Sequence, residues 1–237
     1  MNNANGEASK IWDAEADIYD ERANRNRYVQ FVSEFISRHA HELNDLPECH
    51  VLDLGCGTGL NVQLLSGHRP RIRAEGVDGS ARMLERAGAI GKYDRIYTHD
   101  LNQKLPPDIE SEKFDLVIAF GFLEFLSDIY VCLSECRRVL KVNGTLWATF
   151  QRYEAEDPAS PPRRFSLEDM TITGHSAGEL LHVLSALRMH IIGLETAAGY
   201  ITQNGFINSY YVLRARKLDF ESASRPGYFD WNLPTIR

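Results

Sequence analysis

The sequence has no run approaching the roughly 18 uninterrupted apolar residues of a membrane-spanning helix, which argues against an integral membrane protein. Its opening, MNNANGEASKIWDAEADIYDE, is polar and acidic and lacks the apolar stretch of a signal peptide, so a soluble, cytoplasmic protein is expected. Cysteine is scarce: the four (Cys49, Cys56, Cys132, Cys136) show no CxxC spacing. Cys132 and Cys136 fall four apart on an expected amphipathic helix, where buried sulfur is commoner than a ligand pair, and no metal site is expected. Cationic excess is absent too, since the formal charge is −7. That balance disfavours a broad nucleic-acid surface, leaving PPRR (Pro161 to Arg164) as a small basic spot. Repeats and low-complexity tracts are also missing, so one domain with additions is the default for 237 residues.

What is present is a strong alternation. Residues 1–46 read as a helical cap, with Tyr28, Phe31, Val32, Phe35 and Ile36 at helical spacing. From His50, short apolar runs alternate with helical patterns: strands at HVLDLG, IRAEGVD, RIYTHD, FDLVIAF and NGTLWATFQ, and helices at GLNVQLLSG, SARMLERAGAI and DIYVCLSECRRVLK. A further helix, SAGELLHVLSALR, is expected to be capped by Ser176. Such alternation predicts an α/β fold with a mostly parallel, doubly wound sheet. Two closing strand-like runs, MHIIGLETAAGYI and GFINSYYVLRARK, have no helix between them and should pair antiparallel, making seven strands. Residues 151–175 carry prolines and charges without periodicity and read as an irregular lid inserted after the fifth strand. The main domain then spans 47–216, and the tail 217–237 holds Tyr228, Phe229, Trp231 and Leu233 among turn formers, suited to docking on the body or capping a pocket.

The segment VLDLGCGTGL, residues 51–60, places Gly55, Gly57 and Gly59 at the first strand-to-helix turn, the usual ligand contact of an open α/β sheet. Glycines there let the backbone turn sharply and let a ligand lie against amide groups. A dinucleotide is the obvious alternative ligand, but three features argue against it. The pattern is GxGxG where the dinucleotide fingerprint is GxGxxG. Asp53 would sit poorly beside a pyrophosphate and suits a cationic ligand. The closing antiparallel pair replaces the parallel units a dinucleotide fold would add.

These motifs resemble those of the class I S-adenosylmethionine-dependent methyltransferases, over roughly residues 47–216. The resemblance implies S-adenosylmethionine as cofactor and S-adenosylhomocysteine as product. It implies that the turn Gly55, Cys56, Gly57, Thr58 and Gly59 makes room for the cofactor, with Asp53 in the polar network around its amino group. In GVDGS it assigns Asp78, beside Gly79, to both ribose hydroxyls, a task that suits a carboxylate. In THDLNQ it assigns Asp100 and Leu101 to the adenine. In FDLVIAFGFLEFLSD it places Phe120, Gly121 and Phe122 where cofactor and substrate meet. Trp12 and Tyr19 resemble a leader whose helix closes over the cofactor.

A sulfonium methyl is already activated, so catalysis by positioning is expected, with a general base where the acceptor needs one. His175, ahead of the helix after the lid, is a candidate base, and Tyr19 a weaker one. Tyr28 and Tyr153 are candidate pocket aromatics with Phe122. Arg163 and Arg164 could clamp a carboxylate or phosphate, or simply be solvated. Two departures narrow the acceptor. Relatives that methylate base amino groups carry an Asn/Asp-Pro-Pro-aromatic motif where this chain has Ala119-Phe120-Gly121-Phe122. Some quinone-type O-methyltransferases have Glu-His where this chain has Glu124-Phe125, which weakens a metal-assisted phenol mechanism. The expected acceptor is a small, partly apolar metabolite, of the kind found in specialised metabolism, bound by a monomer or homodimer. A protein or RNA acceptor, or a binding-only regulatory protein, is the alternative.

Overall fold

The computed structural model describes residues 4–69, 71–154, 161–167, 170–202, 205 and 207–219. Helices α1 (Ala4–Glu15), α2 (Tyr19–Arg25) and α3 (Tyr28–His39) precede the sheet. The central domain then runs β1 (Cys49–Leu54), α4 (Leu60–His68), β2 (Ile72–Asp78), α5 (Ala81–Ile90), β3 (Arg95–Thr98), β4 (Phe114–Ala119), α6 (Ile129–Val139) and β5 (Leu140–Gln151). A short 3-10 turn, Leu123–Phe125, follows β4. After β5 come β6 (Arg163–Leu167), β7 (Met170–Gly174), α7 (Ala177–Ala186), β8 (Met189–Ile201) and β9 (Ile207–Lys217).

Seven strands form one sheet in the order β3-β2-β1-β4-β5-β9-β8. β1 to β5 are mutually parallel, whereas β9 runs antiparallel to β5 and β8 antiparallel to β9. This is the expected Rossmann-like architecture with its closing antiparallel pair. The sequence reason is plain in β1 and β4, whose runs VLDL and LVIA are buried throughout, as central parallel strands covered on both faces must be. One apolar layer packs α6 and α7 on the sheet, and the other packs α2, α3 and α4. In α3 the residues Tyr28, Phe31, Val32, Phe35, Ile36 and His39 are buried, an i, i+3, i+4, i+7 stripe. Phe35 stands edge-on to Phe120 and to the fully buried Trp147, so the helical cap is anchored on the middle of the sheet.

Local chemistry sets the helix starts. Ser80, Asp128 and Ser176 each accept a hydrogen bond from a backbone N–H in the first turn of α5, α6 and α7. The expected irregular lid needs correction: its second half is a regular antiparallel hairpin, β6 with β7, Arg163 opposite Gly174. Alternation in RRFSL and MTITG is short and broken by neighbouring charges, which hides the period. No helix lies between β3 and β4, where residues 99–113 make turns instead. The aromatic residues of the tail lie outside the described residues. No helix among the described residues is long and apolar enough to cross a membrane.

Candidate active site

β1 delivers the chain to Gly55, whose φ of 63° lies in the left-handed region that glycine tolerates. A Cβ at Gly55 would also stand 2.4 Å from the Phe122 ring, so the site needs glycine for conformation and for space. Asp78, at the end of β2, braces this turn: its carboxylate accepts from the Gly57 N–H at 2.9 Å and from the Ser80 N–H at 2.8 Å. Burial raises its pKa above the ordinary carboxylate value, while these backbone donors oppose the rise. A cleft opens above the turn. Gly55, Gly57, Asp78 and Gly79 form one wall, Asp100 and Leu101 a second, and Gly121 and Phe122 a third.

The helical cap supplies the fourth wall through Ser9, Trp12 and Tyr19. It is held there by polar contacts to α5 and the glycine turn. Asp13 accepts from the Ser80 hydroxyl at 2.5 Å, Arg82 reaches Asp17 at 2.6 Å, and the Thr58 hydroxyl donates to Asp20 at 2.6 Å. Trp12 stands edge-on to Tyr19 and to Phe125, which closes the inner corner. Burial first, then the nearby Asp78 and Asp20 carboxylates, hold the Tyr19 phenol protonated well above its usual range. Tyr19 is therefore a hydrogen-bond donor at neutral pH.

Other expected site residues stand behind the walls. Asp53 is fully buried beneath the turn, where it accepts from the Tyr93 hydroxyl at 2.8 Å and from the Asn61 amide at 3.3 Å. Desolvation by burial pushes its pKa up to about 7, against the lowering effect of those two hydrogen bonds. Cys56 and Thr58 are buried supports of the turn, and Gly59 (φ 91°) caps α4 while packing on Ile90 and Tyr93. Phe120 packs into the cap-side core against Phe35, and the Tyr28 hydroxyl lies 2.7 Å from where a Gly121 Cβ would be. These residues shape the cleft from behind.

A last group is not on the cleft wall. His175 is buried, with Nδ1 3.0 Å from the Glu179 carboxylate and its ring edge-on to Phe150. The Glu179 backbone N–H in turn donates to the Ser176 hydroxyl that caps α7. Arg163 and Arg164 are exposed on β6, and Arg163 lies over the Tyr153 ring at 5.6 Å. Sequence reasoning missed Ser9, Ser80, Met83, Phe125 and Leu126 as wall residues. Ser80 alone carried a signal, as the helix cap directly after the Asp78 motif.

An open α/β sheet with a ligand-sized cleft at the carboxyl ends of its parallel strands defines the Rossmann-like ligand-binding class. Within that class, residues 52–148 match a family described as a methyltransferase domain. Among curated relatives, the chain is 33% identical over 130 residues to trans-aconitate 2-methyltransferase of Enterobacter sp. (strain 638), covering 52% of this chain and 48% of the relative. It is 34% identical over 140 residues to demethylmenaquinone methyltransferase of Thermotoga maritima, covering 59% of each. The chain thus spans about half to three-fifths of the length of these two relatives. The fold is also that of the Burkholderia thailandensis 1,6-didemethyltoxoflavin-N1-methyltransferase structure, with TM-score 0.64, 16% identity and 92% of each chain covered.

Proposed function

We propose that this protein is a methyltransferase that binds S-adenosylmethionine in the cleft and methylates a small-molecule acceptor. One observation carries the reading: the glycine turn, Asp78, the pair Asp100-Leu101 and the pair Gly121-Phe122 come from four separate motifs and converge on a single cleft. The residues present fit the cofactor. The bare glycine turn leaves a cradle that side chains would fill, Asp78 offers carboxylate oxygens suited to a pair of ribose hydroxyls, and Leu101 offers an apolar face suited to adenine. The cofactor supplies an electrophilic methyl group. The chain supplies binding, orientation and exclusion of water, the last through the cap of Trp12 and Tyr19.

Asp78→Ala is expected to weaken S-adenosylhomocysteine binding by about 1–3 kcal/mol, the cost of removing a charged hydrogen-bond partner. Isothermal calorimetry measures this directly, and an unchanged affinity would remove Asp78 from the site. Tight binding of NAD with none of S-adenosylhomocysteine would sink the whole reading. The exposed Arg163 and Arg164 favour a second reading, a polyanionic acceptor such as RNA. Label transfer from methyl-deuterated S-adenosylmethionine into a cell extract separates the two: label in compounds below about a kilodalton supports the first, label in RNA the second.

A further inference from the structure

The carboxyl edge of the sheet continues past the cleft. Its first part, from β3 to β4, carries the walls described above. Its second part, where β4 and β5 end and β9 begins, carries a buried polar cluster that the cofactor assignment does not use. Tyr210 is central: its hydroxyl donates to Glu124 Oε1 at 2.8 Å. Gln151 is registered directly opposite Tyr210 across the β5–β9 pair, so both side chains lie on one face. Asn208, two residues before Tyr210, shares that face.

These side chains are almost wholly buried, with Asn208 1% exposed, Glu124 4% and Gln151 4%. Yet Glu124 Oε2, Gln151 Oε1 and both polar atoms of Asn208 have no hydrogen-bond partner among the described residues. Buried polar atoms in a finished core are nearly always paired, because an unpaired one forfeits its hydration for nothing. Four such atoms around one tyrosine therefore point to a ligand that completes them. The cluster also abuts the cleft. Glu124 sits in the 3-10 turn next to the wall residue Phe125, and its charge acts on Tyr19 and Tyr28. Thr149, on the same face of β5 as Gln151, accepts the Gly121 N–H at 2.8 Å and so fixes the partition between the two halves.

We propose that Glu124, Gln151 and Asn208 form the acceptor site, and that it takes an uncharged ring with a hydrogen-bond donor and a carbonyl acceptor side by side. This rests on the methyltransferase reading above. The recognition follows from the groups. The Gln151 amide nitrogen already donates to the Arg152 and Ser209 carbonyls. The unpaired groups are therefore one donor, Asn208 Nδ2, and three acceptors, Asn208 Oδ1, Gln151 Oε1 and Glu124 Oε2. They suit the donor and the carbonyl of such an edge, and the acceptor excess disfavours an anion. Flat rings pack beside the cluster: the Tyr210 ring stacks with Phe31 at 15°, and Tyr28 is tilted against Phe31.

The test uses the full chain saturated with S-adenosylhomocysteine, probed by ligand-observed NMR with 2-pyridone and with benzoate. The expected result is 2-pyridone binding with no benzoate binding, and a loss of about tenfold or more in 2-pyridone affinity in Asn208→Leu at unchanged S-adenosylhomocysteine affinity. If Asn208 were merely structural, leucine would satisfy the core and leave 2-pyridone binding intact. Glu124→Gln provides a second variant, with the same expected loss, should Asn208→Leu fail to fold. Benzoate binding as well as 2-pyridone, no 2-pyridone binding, or binding unaffected in the folded variants would overturn the acceptor site alone. Failure of S-adenosylhomocysteine to bind would overturn the methyltransferase reading and this site with it.

Discussion

Asp53→Asn is expected to gain on the wild-type protein by about 3 kcal/mol in relative stability between pH 4 and pH 7, through linkage of folding to one proton. Burial raises the Asp53 carboxyl from an ordinary value of 3.8 to about 7 in the folded chain. In the unfolded chain it ionises near its ordinary value, so within that window the native state holds the proton more firmly. The stabilising contribution is complete below about pH 4, declines as pH rises, and is lost through about pH 7. Asparagine keeps the group neutral throughout, and Tyr93 can turn its hydroxyl to suit the amide. Urea denaturation of both proteins at pH 4, 5, 6 and 7 measures the difference. A difference that stays constant would mean that Asp53 is ionised in the native protein at all these values, contrary to its burial beneath the glycine turn.

Phe35→Ala is expected to cost about 3–5 kcal/mol, the range for truncating a fully buried aromatic side chain. Phe35 is 1% exposed and meets Trp147, Phe120 and His39 with ring centroids 5.3, 5.4 and 4.7 Å away. The residue has a second consequence because α3 holds the cap on the sheet, and the cap provides Ser9, Trp12 and Tyr19 to the cleft. Cofactor affinity should therefore fall together with stability, although Phe35 touches no part of the cleft wall. Denaturation gives the first effect, and calorimetry with S-adenosylhomocysteine, at a temperature where the variant stays folded, gives the second. A cost below about 1 kcal/mol would show that the cap is anchored elsewhere.

Much of this architecture was legible because its determinants are local. The apolar runs of β1 and β4, the cap at Ser176, and the glycines of the first turn each announce themselves within a few residues. The positions of Asp78, Asp100 and Phe122 on one cleft follow from the order of the motifs, since parallel strands bring their carboxyl ends to one edge. What stayed hidden depends on partners far along the chain. Asp53 looks the same in sequence whether exposed or buried, and its partners Tyr93 and Asn61 are brought to it only by the fold. Asp13, Asp17 and Asp20 read as an ordinary acidic helix face until α5 presents Ser80, Arg82 and Arg86 to them. Gln151 and Asn208 look like strand punctuation and meet only because β5 and β9 pair antiparallel.

The anchoring of α3 also bears on the order in which the molecule can be assembled. Arg38 pairs with Glu195, 157 residues onward, and Glu42 with Arg214, 172 residues onward. Contacts between such distant segments must close long loops and form late. The cap is synthesised before every strand it rests on, and its seat is complete only when β5, β8 and β9 join β1, β4 and α4 beneath it. A chain arrested before β9 would have α4, β1, β4 and β5 to seat the apolar stripe of α3 but would lack the Glu42–Arg214 pair that fastens its far end.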